Sequence, residues 1–251
     1  MKDKNSFYFN RFKPNKKDDK YVESILNVLE KKGYKQSDDG EIGFVFGGDG
    51  SLFHNAFETD YKKKYCLINC GHLGFFADYN VNEFASILEK STSFIEENIP
   101  CFKLKTSDGD INFVNDIYIT ENRPLDFEII VNGTNIVKQK ANGIALGTSV
   151  GSSGYLYSLN SPLVLTNNDV LQFALLAPIR NKTSNNFITK GILSSNDVIE
   201  IKLSNKCELF HDGIKLDYEV DNFIISKSNK KMTLLHFNKV NNIDRILKSF
   251  K

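Results

Sequence analysis

The sequence predicts an α/β N-terminal domain with a parallel sheet, followed by a β-rich C-terminal domain. The first hundred residues alternate helical and strand patterns, which is typical of βαβ units around a parallel sheet. Most of the remaining chain consists of short strands separated by turn residues. A last apolar strand and helix are expected to return to the first domain. We therefore expect an α/β domain of residues 1–98 with 233–251, and a β-rich domain of residues 99–232.

The elements of the N-terminal half follow from the spacing of apolar residues. Val22, Ile25 and Leu29 recur at the spacing of one helix face, and Gly33 is placed to end that helix. Short, uninterrupted apolar runs are typical of strands buried on both faces. The predicted elements, in order, are a helix around 22–29, a strand at 42–46, a helix around 52–57, a strand at 65–69 and a helix around 84–88.

Turn residues organise the C-terminal half. Asn132-Gly133 separates two apolar runs and suits a type I′ turn, in which both central residues have positive φ. Asp108-Gly109 and Asp212-Gly213 are weaker hairpin signals of the same kind. The chain then shows a predicted strand at 233–237 and a helix that ends around 243–247.

The charge balance and the apolar runs exclude several classes of protein. The chain has 32 basic and 31 acidic residues and a net charge of +1, which gives no reason for a general affinity for nucleic acid or anionic membranes. The lysine-rich N-terminal segment lacks the apolar run of a signal peptide, and no later run approaches transmembrane length. We therefore expect a cytoplasmic protein without a membrane partner.

Two of the four cysteines, Cys66 and Cys70, are close enough in sequence to raise the possibility of a metal site. A strand would hold their thiols ~13 Å apart, too far to share a zinc ion. We therefore expect reduced thiols that pack as small apolar side chains.

The segment Gly47-Gly-Asp-Gly-Ser51 lies between a predicted strand and a predicted helix. In open α/β sheets ligands bind at the carboxyl ends of strands, where glycines let the backbone approach phosphate and helix amides favour anions. The carboxylate of Asp49 would repel phosphate. Its presence here therefore indicates that it interacts with a hydroxyl group that loses a proton when it is phosphorylated. In that role it would contribute little to folding. The alternative is a tight turn in which Asp-Gly only satisfies backbone geometry.

Three other segments carry polar groups that suit a nucleotide. Residues 147–155 form a second glycine-rich loop without the lysine of a Walker A motif, and a flexible linker is the alternative. His72 and Phe75 follow the strand at 65–69, although core packing would also explain the phenylalanine. Asn115-Asp116 can offer an amide and a carboxylate to ribose or adenine, or can form the polar edge of a strand.

Taken together, these segments resemble the NAD kinase family, because they occur in that family's order. The resemblance extends from about Phe44 to the hairpin Asp212-Gly213, which looks like the family's late Asp-Gly hairpin. The matching motifs are Gly-Gly-Asp-Gly-Ser at 47–51, Gly-His-Leu-Gly-Phe at 71–75, Asn-Asp at 115–116 and the loop at 147–155.

This resemblance implies an enzyme that transfers a phosphoryl group to the 2′-hydroxyl of the adenosine ribose of NAD, forming NADP. ATP would be the donor, with inorganic polyphosphate as the alternative, and a divalent cation, Mg²⁺, would neutralise phosphate charge. Residues 99–232 would be the NAD-binding domain. The family's tendency to assemble implies a homodimer or homotetramer.

The resemblance also implies roles for individual residues. Asp49 would be the catalytic residue, acting as base or as orienting partner of the acceptor hydroxyl. The remaining candidates would bind nucleotide or substrate; they are Gly47, Gly48, Gly50, Ser51, His72, Phe75, Asn115, Asp116, Asn142, Ser153, Gly154, Tyr155 and Ser158.

The chain departs from the family's pattern at Asn142, where the family has an aspartate. Asparagine keeps hydrogen-bonding capacity and lacks the charge that would act toward the nicotinamide side. Three alternative functions share parts of the pattern: sugar-phosphate kinases of the phosphofructokinase type and lipid kinases contain Gly-Gly-Asp-Gly, and a non-catalytic regulatory protein could bind NAD or NADP. Asp49 favours catalysis, because a sensor has little reason to place a carboxylate beside phosphates.

Overall fold

The computed structural model describes residues 6–11, 16–71, 74–91, 93–165, 169–179 and 188–249. The strands are β1 (Ser6–Arg11), β2 (Lys35–Gln36), β3 (Ile42–Gly47), β4 (Lys64–Asn69), β5 (Tyr79–Asn80), β6 (Ile95–Lys105), β7 (Asp110–Phe113), β8 (Asp116–Val131), β9 (Thr134–Thr148), β10 (Val170–Leu176), β11 (Lys190–Ser194), β12 (Ile199–His211) and β13 (Ile214–His236). The α-helices are α1 (Asp19–Lys31), α2 (Asp49–Glu58), α3 (Val81–Lys90), α4 (Tyr155–Ser158) and α5 (Asn242–Ser249).

The chain forms two compact units. One consists of Met1–Ile99 with Lys231–Lys251 and is called the α/β unit below; the other is Pro100–Lys230, the β-rich unit. None of the helices in the described ranges has the length and hydrophobicity that crossing a bilayer requires.

The α/β unit is built on a parallel sheet. β1 lies between β2 and β3, β3 pairs with β4, and β4 pairs with β5. Thr233 and Leu234, near the end of β13, also pair with β4 in parallel. The end of β13 therefore belongs to the sheet of this unit. Strands of such a sheet are covered on both faces, which explains the uninterrupted burial of residues 42–46 in β3.

Helix α1 ends in the way that its sequence predicts. Gly33 follows the helix with a φ of +82°. Its N–H donates to the carbonyl of Glu30, and the N–H of Tyr34 donates to the carbonyl of Leu29. This pair of bonds is a Schellman motif, which needs a left-handed residue and therefore favours glycine.

Strand β1 was absent from the sequence prediction, which treated the first twenty residues as polar. Phe7 of this strand is 1% exposed, and its ring packs edge-on against that of Phe44 at 5.8 Å between centroids. The apolar run is short and lies in a lysine-rich segment, so neighbouring charges hid its strand pattern.

The β-rich unit is an antiparallel sheet with the strand order β11-β10-β9-β8-β12-β13, to which β6 and β7 add a hairpin. Two of its hairpins turn through residues with positive φ at both centres. These are Asn132 (+48°) with Gly133 (+82°), and Asp212 (+48°) with Gly213 (+79°). Both therefore match the predicted type I′ geometry. The pairing of Asp116 with Gly147 places the Asn-Asp segment beside the second glycine-rich loop.

The four cysteines are all free thiols, as the sequence predicts. Cys66, Cys101 and Cys207 are buried, and Cys70 is half-buried.

Candidate active site

The Gly-Gly-Asp-Gly-Ser segment forms the junction between β3 and α2. β3 ends at Gly47, Gly48 caps the helix in an extended conformation, and Asp49 is the first helical residue. A Cβ added at Gly47 would lie 2.3 Å from the Ser51 hydroxyl, so the turn requires glycine at this position. The junction lies at the carboxyl end of a parallel strand, as predicted.

The other two glycines of this segment meet no such restriction. A Cβ added at Gly48 or Gly50 would have no heavy atom of the described chain within 4 Å. Neither residue has a positive φ. The space over the start of α2 is therefore open, and a phosphate can approach the backbone amides there closely.

The carboxylate of Asp49 is held by the segment that follows β4. Its Oδ2 accepts a hydrogen bond from the Phe75 N–H at 2.7 Å, and its Oδ1 accepts one from the Phe76 N–H at 3.0 Å. Gly74 makes this approach possible, because an added Cβ there would lie 2.7 Å from Oδ1. Asp49 thus contributes to local structure as well, contrary to the expectation that its carboxylate matters little for folding.

The pKa of Asp49 is raised above its ordinary value. Burial is the main cause and favours the uncharged acid; it outweighs the hydrogen bonds from Phe76 and Phe75 and the positive charge of Arg245, which lower the pKa. A carboxylate with a raised pKa is a better proton acceptor once ionised. This environment suits a general base.

Phe75 lies half-buried beside Asp49, with its ring 4.9 Å from that of Phe76. His72, the other candidate from this segment, lies outside the described residues.

In the β-rich unit, the Asn115-Asp116 segment is shaped by a buried carboxylate. Asp212 accepts hydrogen bonds from three successive backbone N–H groups, those of Val114 (2.9 Å), Asn115 (2.6 Å) and Asp116 (3.2 Å). The N–H of Asp212 in turn donates to the Asp116 carbonyl at 2.8 Å. Burial raises the pKa of Asp212 to about 7. These bonds fix the backbone between β7 and the start of β8, where Asn115 and the buried Asp116 lie.

The second glycine-rich loop packs directly on this segment. The Thr148 N–H donates to the Asn115 carbonyl at 3.0 Å, and the Thr148 hydroxyl donates to the Val114 carbonyl at 2.6 Å. A Cβ at Gly151 would lie 2.2 Å from the Asn115 carbonyl oxygen, so the loop can approach this closely only with glycine there. A Cβ at Gly154 would come within 3.5 Å of the Asn115 amide and the Asp116 carboxylate.

Asp116 is the second buried carboxylate of the β-rich unit. Burial raises its pKa to about 6, although the Tyr155 backbone N–H partly offsets this effect. The Asn115 amide donates to Asp116 Oδ2 at 3.2 Å. The Tyr155 ring lies 4.9 Å from that of Tyr118. The structure therefore brings together Asn115, Asp116, Gly154 and Tyr155.

Three further candidates are placed differently. Ser153 and Ser158 turn their hydroxyls to local carbonyls, those of Val150 at 3.5 Å and Tyr155 at 2.6 Å. Asn142 lies in β9 and donates to the Glu121 carbonyl at 3.0 Å. It precedes Gly147 by five strand residues, which separates it from the loop by about 17 Å. The structure therefore does not bring Asn142 to the loop.

Sequence reasoning missed the role of Asp212, because its place in an Asp-Gly turn already explained the aspartate. It also missed the charged groups around Asp49, of which Arg245 is one. No local signal marked Arg245, because it lies outside the helical stripe of Ile243, Ile246 and Leu247 and therefore has the pattern of a solvent-facing charge.

Within the part of the chain that the structure describes, no group of three or more His, Cys, Asp or Glu side chains is arranged to hold a metal ion.

No protein-family profile matches the chain. Among curated proteins it is 28% identical to the NAD kinase of Mycoplasma genitalium over 218 residues, covering 82% of this chain and 83% of the relative. It is also 28% identical to the NAD kinase of Thermoanaerobacter pseudethanolicus over 253 residues, covering 88% of this chain and 86% of the relative.

Two solved structures share the fold. An NAD kinase from Archaeoglobus fulgidus in complex with ATP gives a TM-score of 0.78 at 18% identity, covering 98% of this chain and 97% of that chain. Yeast NADH kinase complexed with NADH gives a TM-score of 0.78 at 16% identity, covering 98% and 86%. The predicted fold class is confirmed.

Proposed function

The chain belongs to the NAD kinase family, and from this we propose that it transfers a phosphoryl group from ATP to the 2′-hydroxyl of the adenosine ribose of NAD, forming NADP. The observation that carries the proposal is the placement of Asp49. A half-buried carboxylate with a raised pKa lies at the first residue of α2, beside glycines over which the space is open. A proton acceptor beside an anion-binding helix start is what phosphorylation of a hydroxyl requires.

In the proposed reaction, Asp49 accepts the proton of the 2′-hydroxyl while the oxygen of that hydroxyl attacks the γ-phosphorus of ATP. The new oxygen–phosphorus bond forms while the bond to the β-phosphate oxygen breaks, and ADP leaves. The amides around Gly48 and Gly50 bind phosphate oxygens, with Gly47 and Ser51 fixing the turn. In this mechanism the protein contributes mainly by positioning the two substrates and by stabilising the charge that develops on the phosphate oxygens.

We assign adenosine recognition to Asn115, Asp116 and Tyr155. The Asn115 amide and the Asp116 carboxylate can bond ribose hydroxyls or adenine, and Asp212 holds the backbone that carries them. Gly154 leaves room beside both groups. Phe75 offers a half-buried ring for the adenine region, and Ser153 and Ser158 remain proposed contacts on the loop and on α4. We also keep His72 and Asn142 as proposed contacts, on the family resemblance alone.

We propose that Mg²⁺ enters with the donor. Mg²⁺ usually keeps several waters and is bound through one or two carboxylates together with substrate phosphates, so an all-protein cage is not required. The cation would neutralise phosphate charge when bound with ATP.

The decisive assay incubates the purified protein with magnesium and NAD, with either ATP or inorganic polyphosphate as donor, and measures NADP. We expect NADP formation with ATP, while fructose 6-phosphate and diacylglycerol serve as acceptor controls. Phosphorylation of either control in place of NAD would replace the proposal with a sugar-phosphate or a lipid kinase.

One observation favours a second candidate, a non-catalytic protein that binds NAD or NADP. Both carboxylate oxygens of Asp49 already accept backbone hydrogen bonds, as those of a purely structural residue would. NAD binding measured by calorimetry without any NADP formation, with either donor, would support this candidate.

We propose a cytoplasmic location, which the four free cysteines support because reduced thiols are usual in a reducing compartment. A homodimer or homotetramer is proposed on the family resemblance, and light scattering coupled to size exclusion would measure it.

A further inference from the structure

Four charged side chains of the α/β unit form a network at helix α5. Arg245 is only 4% exposed; its Nη1 donates to both Glu97 oxygens, at 3.2 and 3.0 Å, and its Nη2 donates to Asp78 Oδ2 at 3.3 Å. His236, the last residue of β13, lies 2.7 Å from Asp78 Oδ2 through Nδ1 and 2.9 Å from Glu97 Oε2 through Nε2. Two carboxylates thus share two basic side chains.

The pKa shifts agree with a network of charged groups. Burial lowers the pKa of His236, but the hydrogen bonds to Asp78 and Glu97 outweigh burial and raise it overall. Burial alone would raise the pKa of both carboxyl groups, but His236 and Arg245 outweigh it and lower both values. Each group therefore favours its charged form in the presence of the others.

The network holds the segment that positions Asp49. Asp78 lies two residues beyond Phe76, whose N–H donates to Asp49. The Arg245 guanidinium also lies over the Phe76 ring, 5.4 Å from its centroid, and that ring packs edge-on with Phe53 of α2 at 5.7 Å between centroids. Arg245 therefore contacts this segment at two points, the Asp78 carboxylate and the Phe76 ring.

We propose that Arg245 is a positioning residue for phosphoryl transfer, fixing residues 74–78 so that the Phe75 and Phe76 amides hold the Asp49 carboxylate toward the acceptor hydroxyl. The proposal rests on the proposed function, because Asp49 must be the group at that hydroxyl. Arg245 acts through Phe76 and Asp78 and through its charge. An arginine suits this role because its planar fork can bond two carboxylates at once, which a lysine cannot do with the same geometry.

The test compares Arg245→Met and Arg245→Lys with Lys248→Met, which removes a positive charge from an exposed position of the same helix. We expect Arg245→Met to lower kcat by roughly 10–10²-fold, since small displacements of reacting groups cost this much. The KM for NAD should change less than kcat, because Asn115, Asp116 and Tyr155, to which most of adenosine recognition is assigned, lie outside residues 74–78. Arg245→Lys should recover part of kcat, and Lys248→Met should match the wild type.

The pH profile gives a second readout. Among the described residues, Arg245 and Asp78 carry charges that act on Asp49, the first lowering its pKa and the second raising it. Without the arginine charge, the acidic limb of the kcat profile should move to higher pH. A residue that only stabilised the fold would leave this limb in place.

Amide hydrogen exchange separates the failure of this proposal from the failure of the proposed function, because it needs no activity. We expect the Phe75 and Phe76 amides to exchange at least tenfold faster in Arg245→Met, while the amides of β3 and β4 keep their protection. If the wild type makes no NADP, exchange alone decides the anchoring role. If Arg245→Met does not fold, Arg245→Lys and Glu97→Gln carry the same measurements.

Two results would overturn the proposal. One is wild-type kcat and wild-type amide protection in the folded variants. The other is faster exchange throughout the parallel sheet to the same extent as at Phe75 and Phe76, which would reduce Arg245 to a contributor to global stability.

Discussion

At the scale of single residues, Asp49 and Asp212 are two aspartates that organise backbone amides, one in each unit. Asp49 accepts two N–H groups and Asp212 accepts three. Burial raises the pKa of both. They differ in their surroundings: Asp49 lies beside the open space at the start of α2, whereas Asp212 is 5% exposed and is surrounded by the backbone that it shapes.

For Asp49→Asn we expect kcat to fall by roughly 10²–10⁴-fold, because the proton-accepting charge is lost. The new amide group would also face a backbone N–H, so the free energy of unfolding should fall by about 1–3 kcal/mol. NADP formation measures turnover, denaturant unfolding measures stability, and NAD titration checks that the variant still binds NAD, with Asp39→Asn as an exposed control. Near-normal turnover in a folded variant that binds NAD would remove Asp49 from the mechanism.

For Asp212→Asn we expect weaker NAD binding with a smaller change in kcat. The amide nitrogen would face at least one of three N–H donors and leave it unsatisfied, at a cost of about 1–3 kcal/mol in the free energy of unfolding. The displaced Asn115-Asp116 backbone would then raise the KM for NAD. Asp221→Asn, exposed on β13, is the matched control. An unchanged KM would show that this backbone does not recognise adenosine.

At the scale of elements, the glycines of three segments, the β3–α2 junction, the segment after β4 and the second glycine-rich loop, serve different purposes. Gly74 and Gly151 let one segment approach another, since a Cβ at either would come within 2.7 Å of protein atoms. A Cβ added at Gly48 or Gly50 would have no atom of the described chain within 4 Å. This contrast separates glycines required by the fold from glycines available to a ligand.

Gly50→Ala should therefore keep or raise stability while lowering activity. Alanine favours the helix interior over glycine by up to about 1 kcal/mol, and no neighbour of the new Cβ is within 4 Å. The Cβ would, however, occupy space that the donor phosphates are proposed to use, so the KM for ATP should rise. Gly151→Ala is the contrasting variant and should lose stability. Unchanged ATP kinetics in Gly50→Ala would argue against phosphate binding at this turn.

Sequence patterns predicted the elements that are specified locally. Gly33 marked the end of α1, and Asn132-Gly133 marked a hairpin, because each depends on the φ of one or two residues. The bonds of Asp212 to Val114 and Asn115 join residues 98 and 97 positions apart, and no local pattern encodes them. The contacts of Arg245 with Asp78 and Glu97 were missed for the same reason.

At the scale of the whole molecule, the network of Asp78, Glu97, His236 and Arg245 should make stability depend on pH. The raised pKa of His236 contributes stability that is complete below its ordinary value of 6.5 and is lost as pH rises through the folded value. The lowered pKa values of Asp78 and Glu97 contribute stability that is complete above their ordinary values of 3.8 and 4.5 and is lost as pH falls through the folded values. The network is therefore most stabilising between pH 4.5 and 6.5.

His236→Gln tests this window. The difference in free energy of unfolding between the wild type and this variant should be largest near pH 5.5 and should shrink as the pH rises above 6.5. Urea unfolding across a pH series measures it, and taking the difference cancels the contributions of Asp116 and Asp212. A difference that grew with pH above 6.5 would contradict a raised histidine pKa.

The composition of the α/β unit from two distant stretches of chain has a consequence for synthesis on the ribosome. Residues up to Ile99 emerge first, yet the strand that pairs with β4 through Thr233 and Leu234 emerges only after the entire β-rich unit. Domains generally fold as units during synthesis, N-terminal parts first. In the nascent chain, part of β4 therefore stays unpaired until the end of β13 has been synthesised. Asp78 and Glu97 likewise lack their partners His236 and Arg245 until then. The β-rich unit, continuous from Pro100 to Lys230, can therefore finish folding before the unit that precedes it in the chain.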